Sequence, residues 1–217
     1  MQGSAVRPRT GIDVGAELNS SLERVWALTQ DPSKHARWDV RFGRITPTGA
    51  GTFCYRRFGV GGTGEHSGDR RATDGSATSA LRFACAHPLS PIEEGSGYWR
   101  YTPREDGGVT FATWYDYRSR YPRIDRFFRP LMARGTAWSF DRLRLWADRS
   151  VPPELSASIA LADAAIRAGV VIAATLMTDG PVGLLAAGVL TILALRLPPL
   201  PWAPSARRTS WSVGSVR

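Results

Sequence analysis

The chain has 217 residues, 43% hydrophobic and 22% charged, enough for one substantial domain with its own core plus an appendage. Its net charge of +9 rests on arginines scattered among acids and strand-forming residues, with Lys34 the sole lysine. No basic run forms a stripe with interleaved aromatics, which argues against nucleic acid as a partner.

Residues 1–10 lack the apolar run of a signal peptide and read as a disordered lead-in. Over residues 12–18, Ile12, Val14, Ala16 and Leu18 alternate with Asp13, Gly15 and Glu17, a half-buried strand. Ser20 and Glu23 then form a capping box for a helix whose apolar stripe is Leu22, Val25, Trp26 and Leu28. Asp31-Pro32 stops it, and a second short helix follows to Trp38. Six strands are expected over 43–47, 52–60, 64–71, 77–86, 97–101 and 109–120, with Asp106-Gly107-Gly108 as the turn before the last. The glycine-rich stretch 59–68 has neither a following helix nor a Lys-Ser/Thr pair, so it reads as a strand turn and not a phosphate loop.

The dominant element is an amphipathic helix near the end of this run. Proline fits a first helical turn, so the main helix is placed from Pro130 to about Asp148, after a lead-in from Arg123. At about 1.5 Å per residue such a helix is roughly 28 Å long, enough to cover one face of a curved sheet. Arg134, Asp141, Arg144 and Asp148 fall on its polar arc. Gly135, Thr136 and Ser139 are small residues in the middle of its apolar face, so there the helix either roofs a cavity or admits a close neighbour.

One strand, two short helices, six strands and a long helix is an order that resembles the START-like, or polyketide cyclase/dehydrase (SRPBCC), superfamily. The stretches carrying the resemblance are 25–32 (VWALTQDP), 38–42 (WDVRF), 95–103 (GSGYWRYTP), 115–117 (YDY), 129–132 (RPLM) and 137–146 (AWSFDRLRLW). The resemblance covers residues 11 to about 155. It implies an α+β helix-grip fold, a curved seven-stranded antiparallel sheet wrapped on the long helix, with a hydrophobic small molecule held between them. A cyclase- or dehydratase-type reaction on a polyketide-like substrate is the alternative it offers, and a non-binding structural or interaction module is a third.

Strand alternation selects the candidate cavity lining. Phe111, Thr113, Tyr115 and Tyr117 share the more apolar face of their strand, Trp99 and Tyr101 that of theirs, and Phe83 lies with Leu81 and Cys85 opposite Arg82. From the helix, Gly135, Trp138, Ser139 and Arg142 complete the set, with Arg142 placed to snorkel, to pair with Asp116 or to meet an anionic head. Tyrosine and tryptophan suit an amphiphilic or aromatic ligand, although each aromatic alone also fits an ordinary core position. No catalytic residue is assigned. His35, His66 and His87 are far apart and read as surface or strand-end residues, and Asp141 reads as half of a solvated ion pair. Cys54 and Cys85 lack metal-ligand spacing and are expected as buried reduced thiols, with no metal and no cofactor.

After Trp146 the composition changes. The chain is expected to divide into the lead-in (1–10), the START-like domain (11–149), a linker with Pro152-Pro153 (150–157), a hydrophobic helical hairpin (158–200) and a basic disordered tail (201–217). Each apolar stretch of the hairpin runs about 15–20 residues around a turn at 178–181, which is membrane-like in length and composition. Arg149, Arg207 and Arg208 flank it, whereas the turn carries only Asp179, so the domain and the tail are expected on the cytoplasmic side of a cell membrane. The charged pair Asp163 and Arg167 keeps open the alternative of a soluble hairpin. No protein partner is legible.

Overall fold

A computed structural model of the protein describes residues 10–177 and 180–215. The lead-in over 1–9, the turn residues 178–179 and the last two residues lie outside the described residues. The element order is β1 (Thr10–Leu18), α1 (Leu22–Gln30), α2 (Pro32–Trp38), β2 (Arg44–Gly49), β3 (Thr52–Arg57), β4 (Val60–Arg71), β5 (Ala77–Ala84), β6 (Ile92–Pro103), β7 (Val109–Ser119), α3 (Pro122–Arg149), α4 (Pro153–Met177), α5 (Gly180–Arg196) and β8 (Ser210–Ser215).

The strands form one antiparallel sheet in the order β2-β3-β4-β5-β6-β7-β1-β8. Alternation fixes which face is covered: along β7, Val109, Phe111, Thr113, Tyr115 and Tyr117 are buried and the residues between them are not. The helix-grip fold is therefore the one expected, with one strand more. Residues 210–215 pair with β1, Ile12 opposite Val213 and Val14 opposite Trp211, where a disordered tail was expected. Alternating polar and apolar residues in a short C-terminal segment become a strand when an open sheet edge is at hand to take their backbone groups.

The long helix also differs from expectation. It starts eight residues earlier, with Pro122 in its first turn, and carries Pro130 inside. Its 28 residues span about 42 Å. It ends at Ser150 in the left-handed region (φ 56°), where the Ser150 and Val151 amides return to the Trp146 and Leu145 carbonyls. The next helix begins at Pro153, so the linker is shorter than the 150–157 expected. Against this end of α3 lies the start of α1, whose cap is Ser21, with its hydroxyl accepting the Arg24 amide. Ser20 is instead drawn off to Asp148, to which its hydroxyl (2.9 Å) and its amide (3.0 Å) donate.

The core is aromatic. Trp38, Phe111 and Phe140 are fully buried and Trp99 nearly so; Phe111 stacks on Phe140 with centroids 4.6 Å apart, and Trp38 packs edge-on to both. The indole of Trp38 donates to the Leu28 carbonyl (3.0 Å), which ties α2 to α1. Under Tyr115 the sheet needs Gly97, because a Cβ there would fall 2.5 Å from the Tyr115 Cβ and 2.6 Å from the Trp114 carbonyl.

Asp141 is not on a solvated arc. It is fully buried under the C-terminal segment, pairing with Arg144 (2.6 Å) and Arg208 (3.2 Å) and accepting the Ser205 amide (2.8 Å). A helical wheel cannot foresee cover supplied by residues more than sixty positions away. Cys54 is exposed, and only Cys85 is the buried thiol expected.

Candidate functional site

A cavity of about 200 Å³ lies between the concave face of the sheet and Met132 of α3. Four expected lining residues meet there: Phe83 from β5, Trp99 from β6, and Thr113 and Tyr115 from β7. Tyr55, Leu81, Cys85 and Ile92 extend the apolar wall, and Met132 is the contribution of α3. Burial pushes the Tyr55 phenol up to about 12, with Cys85 nearby adding to the shift, so it stays neutral.

The other expected residues are placed elsewhere. Phe111 is core, and Tyr101 is core with a fully committed hydroxyl, 2.6 Å from Thr29 Oγ1 and accepting from Gln30 Nε2 (3.0 Å). The Tyr117 hydroxyl donates to Asp125 (2.8 Å), and its ring lies under the Arg129 guanidinium (4.2 Å), which also holds Asp116 (2.7 Å). That leaves no Asp116 for Arg142. Arg142 Nη2 instead donates to the carbonyls of Arg37 (2.8 Å) and Pro153 (3.0 Å), with the guanidinium 4.9 Å from the Trp138 ring. It fastens α2 and α4 to α3, well away from the cavity lining.

The small residues of α3 do not roof the cavity either. The Ser139 hydroxyl accepts the Val40 amide (2.9 Å) and donates to the Gly135 carbonyl (2.9 Å). A Cβ at Gly135 would meet Val40 at 3.8 Å. The space serves the segment from Asp39 to Phe42 that follows α2, and Thr136 serves Tyr115, their hydroxyls being 2.9 Å apart.

That segment brings the polar end of the cavity. Arg41 lines it, with its guanidinium 5.1 Å from the Tyr115 ring centre. Behind Arg41 sits Asp39, wholly buried, accepting from Arg41 Nη2 (2.6 Å), Nε (2.9 Å) and backbone N (3.0 Å), and lying 3.2 Å from His35 Nε2. Burial alone would raise the Asp39 carboxyl; Arg41 and His35 overcome it and hold the group well below the usual range. Arg41 is desolvated too, yet Asp39 raises it above its ordinary value. Burial likewise raises Tyr115, opposed by Arg41. An ionised Asp39–Arg41 pair thus faces neutral phenols.

His35 is no surface residue. It is 7% exposed and packed among Trp38, Phe42 and Trp99, with centroids 4.8–5.0 Å away. The spacing His35, Asp39, Arg41 at the end of a short helix was the available signal. Residues i and i+4 share a helical face, and an arginine two further on can fold back onto the acid. Among the described residues no group of His, Cys, Asp and Glu is arranged to hold a metal ion.

The cavity can hold a small apolar molecule and present the Arg41 cation and tyrosine phenols to an oxygen on it. It is smaller than the roughly 300–1,000 Å³ usual for drug-sized ligands, so in this conformation it suits a single ring or a short chain.

Helix α4 is long and apolar enough over Pro153–Leu176 to cross a membrane, and its apolar window is not covered by the rest of the protein; α5 is shorter. Arg167 of α4 pairs with Asp163 (2.8 Å) and donates to the carbonyls of Ala194 (2.6 Å), Leu197 (3.2 Å) and Pro198 (2.7 Å), closing the two helices into a hairpin.

The uncharacterized membrane protein YndG of Bacillus subtilis (strain 168) is 42% identical over an alignment of 158 positions that covers 66% of this chain and 59% of that protein. The chain thus spans less than two thirds of that relative's length. A crystal structure from Deinococcus radiodurans superposes with a TM-score of 0.48 at 13% identity, over 65% of this chain and all of that one. A solution structure from Arthrobacter aurescens gives 0.48 at 17%, over 63% of this chain and 84% of that one. Residues 10–145 match the family model described as polyketide cyclase / dehydrase and lipid transport, and the chain belongs to that family.

Proposed function

We propose that the protein is a membrane-tethered carrier or sensor that holds a small hydrophobic molecule between its sheet and its long helix. The observation that carries this reading is the cavity on which Phe83, Trp99, Thr113 and Tyr115 converge, with Arg41 as its polar end. A ligand with an apolar ring or short chain and one oxygen fits that distribution. Binding is favoured over catalysis because the polar groups are spent on one another: Arg41 on Asp39, Tyr115 on Thr136. The hairpin is the tether. It leaves the domain beside Arg142 and re-enters it beside Asp141, so both of its ends belong to the same side, which we assign to the cytoplasm.

The test is native mass spectrometry of the full chain released from detergent. A co-purifying small molecule is expected in the wild type and lost from Met132→Trp, which fills the cavity, with the thermal transition retained. A wild-type protein that carries nothing and binds no member of a panel of monocyclic and short-chain lipophiles would overturn the reading.

A further inference from the structure

A second cleft, of about 380 Å³, shares Leu81 and Trp99 with the cavity and lies between the α1–α2 segment and strands β2 to β5. Gln30, His35, Phe53, His66, Ser79 and Trp99 are among its walls. Most of its polar groups are occupied. Gln30 donates to Tyr101 (3.0 Å) and accepts from Ser79 (3.4 Å), and His66 Nε2 lies 2.9 Å from Asp69.

His35 is the exception. Its Nε2 faces Asp39, which three Arg41 nitrogens keep as a carboxylate. A carboxylate only accepts, so Nε2 carries the proton, and in the neutral ring Nδ1 is left as a lone-pair acceptor. Burial lowers the His35 pKa and keeps the ring neutral. The ring is 7% exposed and clamped by Trp38, Phe42 and Trp99, yet Nδ1 has no hydrogen-bond partner among the described residues. This acceptor is fixed in orientation and reachable from the aromatic-lined cleft, so it can take a hydrogen bond from a donor on a bound molecule.

We propose that this cleft is a second small-molecule site, separate from the cavity, that takes a phenol or aromatic alcohol. The ligand hydroxyl donates to His35 Nδ1 and its ring lies along Trp99 and Phe53. The site does not depend on what occupies the cavity.

The experiment uses the full chain in lipid nanodiscs with ¹⁵N-labelled histidine, and p-cresol as the probe against toluene, the same shape without the hydroxyl. His66→Gln and His87→Gln assign the resonances. On p-cresol addition the His35 Nδ1 resonance shifts as its lone pair accepts a proton donor, while Nε2 stays put. Toluene does not shift it and binds at least about five-fold more weakly, the value of one net hydrogen bond. The measurement needs no change to the buried ring, whose loss could unfold the protein. In Met132→Trp, with the cavity filled, the p-cresol shift persists. An Nδ1 resonance unmoved by saturating p-cresol, an equal response to toluene, or a shift that disappears in a folded Met132→Trp protein would each overturn the proposal.

Discussion

Asp39 is the residue on which the polar interior turns. It accepts from Arg41 and faces His35 with no exposed surface, so removing it leaves a buried guanidinium uncompensated. Asp39→Ala is expected to cost about 3–5 kcal/mol in urea unfolding, well beyond an exposed ion pair. Acid acts on the same cluster. The His35 pKa lies below its unfolded value near 6.5, so the unfolded chain takes up a proton that the folded one refuses as pH falls through 6.5. This contribution is complete above about 6.5 and shrinks as pH falls toward the folded pKa, by at most about 1.4 kcal/mol per pH unit. Asp39, depressed from 3.8, adds a further loss below that value. Melting temperature is therefore expected to fall from pH 7 to pH 5, measured by circular dichroism. Gly135 is a smaller case with the opposite sign: its missing Cβ has ordinary contact distance to Val40, so Gly135→Ala should gain up to ~1 kcal/mol of helix propensity.

At the scale of elements, α3 organises the molecule differently from its own sequence pattern. Period 2 in β7 placed Phe111, Thr113, Tyr115 and Tyr117 inward correctly, because a strand has only two faces and one is buried. Which of these line a cavity was not legible, since Phe111 meets Phe140 and Tyr117 meets Asp125 and Arg129 through contacts set by tertiary approach. The small residues Gly135 and Ser139 did mark a close neighbour, but the neighbour is the loop after α2. Asp141 and Arg142, adjacent in sequence, have opposite partners: Asp141 takes the returning C-terminal segment and Arg142 takes the outgoing start of α4. Arg142→Ala leaves the Arg37 carbonyl without its side-chain donor, while the Pro153 carbonyl keeps the Ser156 hydroxyl, and is expected to cost roughly 1–3 kcal/mol. Arg142→Met, which keeps the stem over Trp138, should still lose most of that, if hydrogen bonding and not packing is the cause.

At the scale of the whole molecule, the hairpin is an insertion into a finished domain. The chain leaves at Pro153, held by Arg142 and by the Arg37–Glu154 pair (2.7 Å), and returns at Ser205, held by Asp141, before β8 joins the sheet beside β1. Because Asp141 and Arg142 are neighbours on one helix, the two ends of the insertion are anchored close together. A linker of about eight Gly/Ser residues, with an average reach of ~16 Å, can replace residues 158–200. Such a protein is expected to keep β8 paired, and with it the buried Asp141–Arg208 bridge, because neither depends on the hairpin. It should therefore melt within a few degrees of the full chain while no longer floating with liposomes in a density gradient, whereas the full chain floats. Truncation after residue 200 is the converse change: it leaves the hairpin intact but uncovers Asp141 and strips β1 of its outer partner. That protein should still float and should unfold at lower urea. If instead the linker variant unfolded and the truncated one did not, the hairpin would be part of the core and the C-terminal strand an ornament, the reverse of the order in which the contacts of Asp141 and Arg142 build this molecule.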